Sequence, residues 1–239
     1  MYTFDSRIRY SEVDSECRLT VSGLLDYFQD CCIFKSETLG IGVAYLGERH
    51  LAWVLTSWEI VIEELPLLGT AVQVQTWPYE MKAFYGYRNF RMVDAEGRVL
   101  AYANSQWALM DMEAGRPVKV PEELRRLYVT EEKLPMDEKG RKMQLPDEME
   151  KAEEFVVPSY FIDSNQHMNN EKYVLIAASQ LPVGFKLGEI RVEYKMEAKE
   201  KDVITILRNV TKERVMVALQ NQNGKTCAVV AFLRKDRGV

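Results

Sequence analysis

Two stretches of this chain, Tyr10-Ser11-Glu12-Val13-Asp14-Ser15-Glu16-Cys17-Arg18-Leu19 and Ser159-Tyr160-Phe161-Ile162-Asp163-Ser164-Asn165-Gln166-His167-Met168, fall into register at an offset of 149 residues. Asp14 then meets Asp163, Ser15 meets Ser164 and Leu19 meets Met168. A duplicated unit must bury its core twice by one plan, so self-similarity takes precedence over local propensity. Each copy runs on into apolar residues spaced by three and four, as on the packed face of a helix. These are Leu24, Leu25, Tyr27, Phe28, Cys31, Cys32 and Phe34 in the first copy, and Tyr173, Val174, Ile176 and Ala177 in the second.

Strand-like alternation follows each helix. It covers 53–62, 71–77, 85–93 and 99–110 in the first half, and 190–196, 203–210, 214–220 and 226–233 in the second. Asp94-Ala95-Glu96-Gly97 and Asn221-Gln222-Asn223-Gly224 occupy equivalent places between strands, with the residues a hairpin turn requires. Between the copies lies a Glu-, Lys- and Pro-containing connector, punctuated by Pro117, Pro121, Pro135 and Pro146, with a short helix expected near residues 122–127. The expected division is 1–114, 115–154 as connector, and 155–239. A long helix wrapped by a curved antiparallel sheet, written twice, suggests an α+β tandem hotdog. Single-copy hotdogs pair as dimers, and a tandem copy can supply both halves, so a monomeric pseudo-dimer or a homodimer is expected.

Composition removes several alternatives. A chain of 239 residues with 47% hydrophobic and 28% charged residues has the balance of a globular protein. No run approaches the ~20 apolar residues of a membrane span. The N-terminus, Met1-Tyr2-Thr3-Phe4-Asp5-Ser6-Arg7, lacks the apolar core of a signal peptide, so a cytoplasmic protein is expected. A net charge of −5 argues against a general nucleic-acid binder. The four cysteines, Cys17, Cys31, Cys32 and Cys227, read as reduced thiols, the adjacent pair as core residues. With only His50 and His167, and no paired-cysteine or paired-histidine ligand spacing, neither a metal nor a cofactor is expected.

An ordered set of segments now carries a resemblance. Trp53-Val54-Leu55-Thr56-Ser57-Trp58, Gly69-Thr70-Ala71-Val72-Gln73-Val74-Gln75-Thr76-Trp77, Ala103-Asn104-Ser105-Gln106-Trp107-Ala108-Leu109-Met110-Asp111 and Arg116-Pro117-Val118-Lys119-Val120-Pro121 lead the set. It continues with Asp163-Ser164-Asn165-Gln166-His167-Met168-Asn169-Asn170-Glu171-Lys172-Tyr173 and Glu193-Tyr194-Lys195-Met196-Glu197. Taken together, the chain resembles the plant- and bacterial-type fatty acyl-(acyl-carrier-protein) thioesterases. The resemblance implies hydrolysis of acyl carrier protein thioesters to free fatty acid, within fatty acid biosynthesis. Plant members carry a plastid transit peptide; this sequence opens directly on the domain, as a bacterial cytosolic member would.

A thioester is already activated, so a hydrolase must position a water, take its proton and stabilise the oxyanion. Asp163, Asn165 and His167 alternate in a segment read as extended, which would put their side chains on one side. Asp163 is expected to hold the His167 ring in one tautomer, and Asn165 to orient water or the thioester carbonyl. Backbone N–H groups near Met168 to Asn170 are expected to face the developing charge, and Asn169 and Asn170 to cap the helix. The resemblance adds Glu197 as general base. Many plant members have Cys after that Glu; here it is Ala198, which rules out a cysteine nucleophile at that position. The competing readings are a solvent-facing or capping His167, a turn-forming Asp163 and an exposed strand-end Glu197. In the first copy Glu16 and Arg18 stand opposite Asn165 and His167, and Leu65 opposite Glu197 at an offset of 132. That copy is expected to complete the acyl pocket through Trp53, Leu55, Trp58 and Phe28, which otherwise read as plain core. The carrier protein is acidic, and Lys82, Arg88, Arg91, Lys186 and Arg191 are candidates to meet it. The alternatives are an acyl-coenzyme A thioesterase, a hotdog dehydratase, or a non-catalytic acyl-thioester sensor. The last would need an output module, and no helix-turn-helix segment or basic patch is visible.

Overall fold

The computed structural model describes residues 1–137 and 139–235, so residues 236–239 of the expected second domain and residue 138 of the expected connector lie outside it. The chain divides into two compact units: Met1–Thr56 with Ile62–Glu138, and Ser57–Val61 with Lys139–Val239.

In the first unit β1 (Tyr2–Arg7), α1 (Val21–Thr38) and α2 (Val43–Gly47) precede β2 (Leu51–Ile62), β3 (Ala71–Lys82), β4 (Tyr85–Asp94) and β5 (Val99–Asp111). A two-residue β6 (Arg116–Pro117) and α3 (Glu122–Leu127) follow. The antiparallel strands lie in the order β1, β3, β4, β5, β2, with β6 on β5. Thr20 starts α1 by accepting the Gly23 N–H at 3.0 Å through its hydroxyl, and Gly40, at φ 69°, follows its end. Of the stripe read from the sequence, the helix buries Leu24, Leu25, Tyr27, Phe28 and Cys31, while Cys32 is partly buried and Phe34 is exposed; Phe28 meets Phe90 of β4 with ring centroids 5.4 Å apart. Helix α3 spans the residues expected of it. Its Leu124 joins Tyr128, Val120, Leu109, Ile41 and Leu46 in a buried cluster against which Trp53 packs.

The second unit repeats the plan with β7 (Glu150–Val156), α4 (Asn170–Ala178), β8 (Leu187–Tyr194), β9 (Val203–Val210), β10 (Arg214–Asn221) and β11 (Thr226–Arg234). Its strand order is β8, β11, β10, β9, β7, and Ser57–Val61 pairs with β8 on the other edge, from Ser57 opposite Glu193 to Val61 opposite Glu189. Helix α4 packs on β10 and β11. Along these two strands Val215–Leu219 and Cys227–Phe232 are buried without alternation. Met143 and Leu145 supply the reason, since they cluster with Met216, Val229, Ala231 and Leu233 and cover one sheet face. Both faces are therefore dry, which removes the period of two from the pattern.

Each unit is thus a helix packed on an antiparallel sheet, the hotdog plan written twice. Three features depart from expectation. Helix α4 has only nine residues, because Pro182 and the left-handed Gly184 (φ 74°) follow its end. Strands β1 and β7 were not foreseen, and β7 opens at Glu150, inside the segment read as connector. Both are sheet edges with little buried apolar surface, so their sequences carry weak alternation.

Candidate active site

The loop before α4 is a tight turn, not the extended segment expected. A short 3-10 turn, Ser159–Phe161, leads to an isolated bridge between Ile162 and Met168. Inside it the Asp163 carboxylate Oδ1 accepts the Asn165 N–H at 2.8 Å and the His167 N–H at 3.3 Å. The Asp163 N–H donates to the His167 carbonyl at 2.8 Å, and Gln166 takes φ 64°. One aspartate oxygen thus holds two backbone groups and folds the chain back on itself. Asp163 was expected to hold the imidazole; the contacts its carboxylate makes are with the loop backbone. Asn165 lies exposed on the turn.

His167 is brought to Glu197. Nε2 lies 3.5 Å from Glu197 Oε1, with the imidazole 21% and the carboxylate 59% exposed. That separation is an ion-pair distance within reach of one bridging water. Two sets of hydrogen bonds fix the Glu197 segment. The Lys195 and Met196 N–H groups both donate to the Cys227 carbonyl, at 2.8 and 3.1 Å, so the chain bulges away as β8 ends. Ala198 is then held at both ends: its carbonyl accepts the Met168 N–H at 2.8 Å, and its N–H donates to the Tyr173 hydroxyl at 2.8 Å. Burial pushes the Tyr173 phenol up, so the hydroxyl remains neutral.

Two of the backbone donors expected to face an oxyanion are committed elsewhere. Met168 donates to Ala198, and Asn169 donates to the Phe161 carbonyl at 2.9 Å. Asn169 caps α4 as expected, accepting the Glu171 N–H at 3.2 Å. Glu171, fully buried in the first turn and 2.9 Å from Lys172 Nζ, places negative charge where the helix end is positive. The sequence marks Tyr173 only as part of the packed helix face and gives Glu171 and Tyr194 no role, although all three stand in the motifs above. Tyr194 donates to the Asn170 carbonyl at 2.9 Å and meets Tyr173 edge-on, centroids 5.8 Å apart.

The first unit repeats the backbone bonds of this framework, without the tyrosine clamp. Asp14 Oδ1 accepts the Glu16 and Arg18 N–H groups at 2.9 and 3.0 Å, and Cys17 takes φ 60°. The Glu63 and Glu64 N–H groups share the Leu100 carbonyl at 2.9 Å each, and Leu19 donates to Pro66 at 2.8 Å. Leu65 and Pro66 therefore occupy the places of Glu197 and Ala198. In place of the imidazole–carboxylate pair, the Arg18 guanidinium donates to the Leu65 carbonyl at 3.5 Å. The framework is double, but at this place in it only the second unit carries a His–Glu pair; the other histidine, His50, lies 3.5 Å from Glu113 away from the framework, with both side chains well exposed.

Of the residues expected to line an acyl pocket, Phe28, Leu55 and Trp58 are core side chains, each 2% exposed or less. Trp53 is half-buried and meets Tyr128 edge-on at 6.2 Å, with its ring against Gly86, where a Cβ would lie 3.3 Å away. Among the candidate cations for an acidic partner, Arg88 is not a surface group: it is 5% exposed and donates to the Thr76 hydroxyl at 3.3 Å. Its position on an inward-facing register of β4 explains this. Arg191 donates to the Lys139 and Gly140 carbonyls and Arg91 to Gln75, while Lys82 and Lys186 are exposed. Among the described residues no cluster of three or more His, Cys, Asp or Glu side chains could hold a metal, and no helix is long and apolar enough to cross a membrane.

Residues 1–128 match the acyl-ACP thioesterase N-terminal domain, and residues 145–232 match the acyl-ACP thioesterase C-terminal domain. A chloroplastic palmitoyl-acyl carrier protein thioesterase of Arabidopsis thaliana is 26% identical over 223 residues, covering 85% of this chain and 54% of that protein. The chain spans about half the length of the curated relatives it matches. Two solved structures share its fold. An acyl-ACP thioesterase from Bacteroides thetaiotaomicron is 21% identical with a TM-score of 0.88, covering 98% of this chain and 97% of that one. The 12:0-ACP thioesterase from Umbellularia californica is 20% identical with a TM-score of 0.85, covering 98% and 96%. Matched in both halves, the chain belongs to the acyl-ACP thioesterase family.

Proposed function

We propose that the chain hydrolyses the thioester of fatty acyl-acyl carrier protein, releasing free fatty acid and the carrier thiol, with its chemistry in the second unit. The observation that carries the reading is the 3.5 Å approach of His167 to Glu197, on a framework whose first copy has Arg18 and Leu65 instead. A water bonded to both side chains attacks the carbonyl carbon, and its proton passes to the Glu197 carboxylate. The oxyanion collapses, the carbon–sulfur bond breaks, and the proton returns to the departing sulfur. His167 orients the water and shares the proton through Nε2, Asn165 reaches the carbonyl from the exposed turn, and Asp163 shapes the loop that holds both. Trp53, Leu55, Trp58 and Phe28 are assigned to the acyl chain. The carrier is acidic, so Lys82 and Lys186 are the remaining candidates to meet it. No residue on this path requires a cofactor, and the work is assigned to the cytoplasm.

Fatty acid release from acyl-carrier-protein and acyl-coenzyme A substrates of graded chain length tests this reading. His167→Ala is expected to lower turnover on the carrier-protein substrates by at least ~100-fold. Turnover at the wild-type rate would remove the site. Preference for coenzyme A substrates would retain the site and reassign the partner. Unchanged turnover in Glu197→Gln would move the base to His167.

A further inference from the structure

We propose that Tyr173 is a positioning residue for Glu197, an inference that rests on the functional reading above. Ala198 and Tyr173 are both buried, and the 2.8 Å bond from the Ala198 N–H to the phenolic oxygen joins α4 to the segment carrying Glu197. Glu197 itself is 59% exposed, so its carboxylate is located by its backbone more than by packing around it. That backbone has two supports: the bulge on the Cys227 carbonyl before it, and the Ala198 clamp after it. The clamp ends at Met168, the neighbour of His167, so one short path of hydrogen bonds sets the His167–Glu197 distance.

The first unit supplies the control. At the place of Ala198 it has Pro66, which carries no N–H to satisfy, and at the place of Tyr173 it has Leu24, which offers no acceptor. The pair changes together: where the backbone donor exists, the helix presents a hydroxyl; where it is absent, the helix presents a hydrocarbon. The unit with the phenolic clamp is the one with a carboxylate to aim. Tyr194, edge-on to Tyr173 and bonded to the Asn170 carbonyl, keeps the ring from swinging away.

The test is a double-mutant cycle of Tyr173→Phe and Glu197→Gln, read as steady-state turnover of acyl-acyl carrier protein. Tyr173→Phe is expected to lower kcat by ~10- to 100-fold with KM within about twofold, and the double variant to be no slower than Glu197→Gln alone. Independent, multiplying effects, or wild-type kcat in Tyr173→Phe, would overturn the inference while leaving the functional reading in place. Wild-type turnover in Glu197→Gln would instead move the base to His167, as above, and overturn this inference by leaving no working carboxylate to position; loss of the functional reading itself would show as wild-type turnover in His167→Ala. If Tyr173→Phe does not fold, Tyr173→Leu with Ala198→Pro transfers the first unit's solution and removes donor and acceptor together. It should melt as a folded protein and show the same fall in kcat; wild-type kcat in that variant would overturn the proposal.

Discussion

Asp163 and Asp14 are chemically identical residues in identical loops, and only one of them neighbours a histidine. Each uses Oδ1 to accept the N–H groups two and four residues on. Asn221 does the same in its hairpin with an amide oxygen, accepting from Asn223 and Lys225 at 3.0 and 3.1 Å. The loop therefore needs an acceptor, not a charge. Asp163→Asn should keep turnover within about tenfold of wild type, while Asp163→Ala should lose ~100-fold or more. Equal losses in fatty acid release would show that the carboxylate charge acts on the chemistry directly. The motif was legible from the sequence, but this division of labour was not, because two backbone N–H groups leave no trace in residue identity. The thiols give a second expectation. Burial pushes the Cys31 thiol to about 12 and the Cys227 thiol to about 11, while Cys17 is exposed. A thiol reagent at pH 8 should label Cys17 in the native protein and reach Cys31 and Cys227 only on unfolding; mass mapping of the labelled peptides decides it.

Among the elements, most strands and α1 were legible because one face of each meets a core. The edge strands β1 and β7 were not. The second helix was shortened by Pro182 and Gly184, whose stop signals were present in the sequence and outweighed by the apolar spacing before them. The β4–β5 turn shows how closely local chemistry specifies an element. Asp94 Oδ1 accepts from Glu96 and Arg98 N–H, Gly97 takes φ 80°, and Arg98 Nε donates to Asp94 Oδ2 at 2.9 Å. That Arg98 hydrogen bond, chiefly, holds the Asp94 carboxyl below its ordinary value. The unfolded chain then binds this proton more readily than the folded one. The turn's contribution is complete above the ordinary aspartate range and is lost as pH falls through the lower folded value. Asp94→Asn keeps the acceptor oxygen and removes the titration. Its stability against pH, followed by chemical denaturation, should show a shallower acid limb than wild type; an unchanged limb would mean the turn does not titrate with folding.

For the molecule as a whole, duplication was the most legible property, and the connector the least. Its charged and proline-punctuated composition reads as a surface strap. Yet Tyr128 lies in the core of the first unit, and Met143 closes the outer sheet face of the second, its N–H donating to the Glu193 carboxylate at 3.0 Å. Apolar residues separated by charges carry no period, so nothing in the pattern distinguishes a strap from a cover. If Met143 is cover, Met143→Ala should destabilise the protein by about 2 kcal/mol or more in a urea titration; a change within ~0.5 kcal/mol would return it to the surface.

Cys17 and Gln166 both stand in left-handed backbone, at φ 60° and 64°, a conformation that costs a side-chain-bearing residue on the order of 1–2 kcal/mol. Strained residues are commonly taken as pointers to active sites. Here the strain has been inherited by a copy that carries arginine and leucine where the other carries imidazole and carboxylate. It belongs to the way this architecture delivers a chain into its helix. In a duplicated fold of this kind, backbone tension marks ancestry, and only the side chains mounted on it tell one copy from the other.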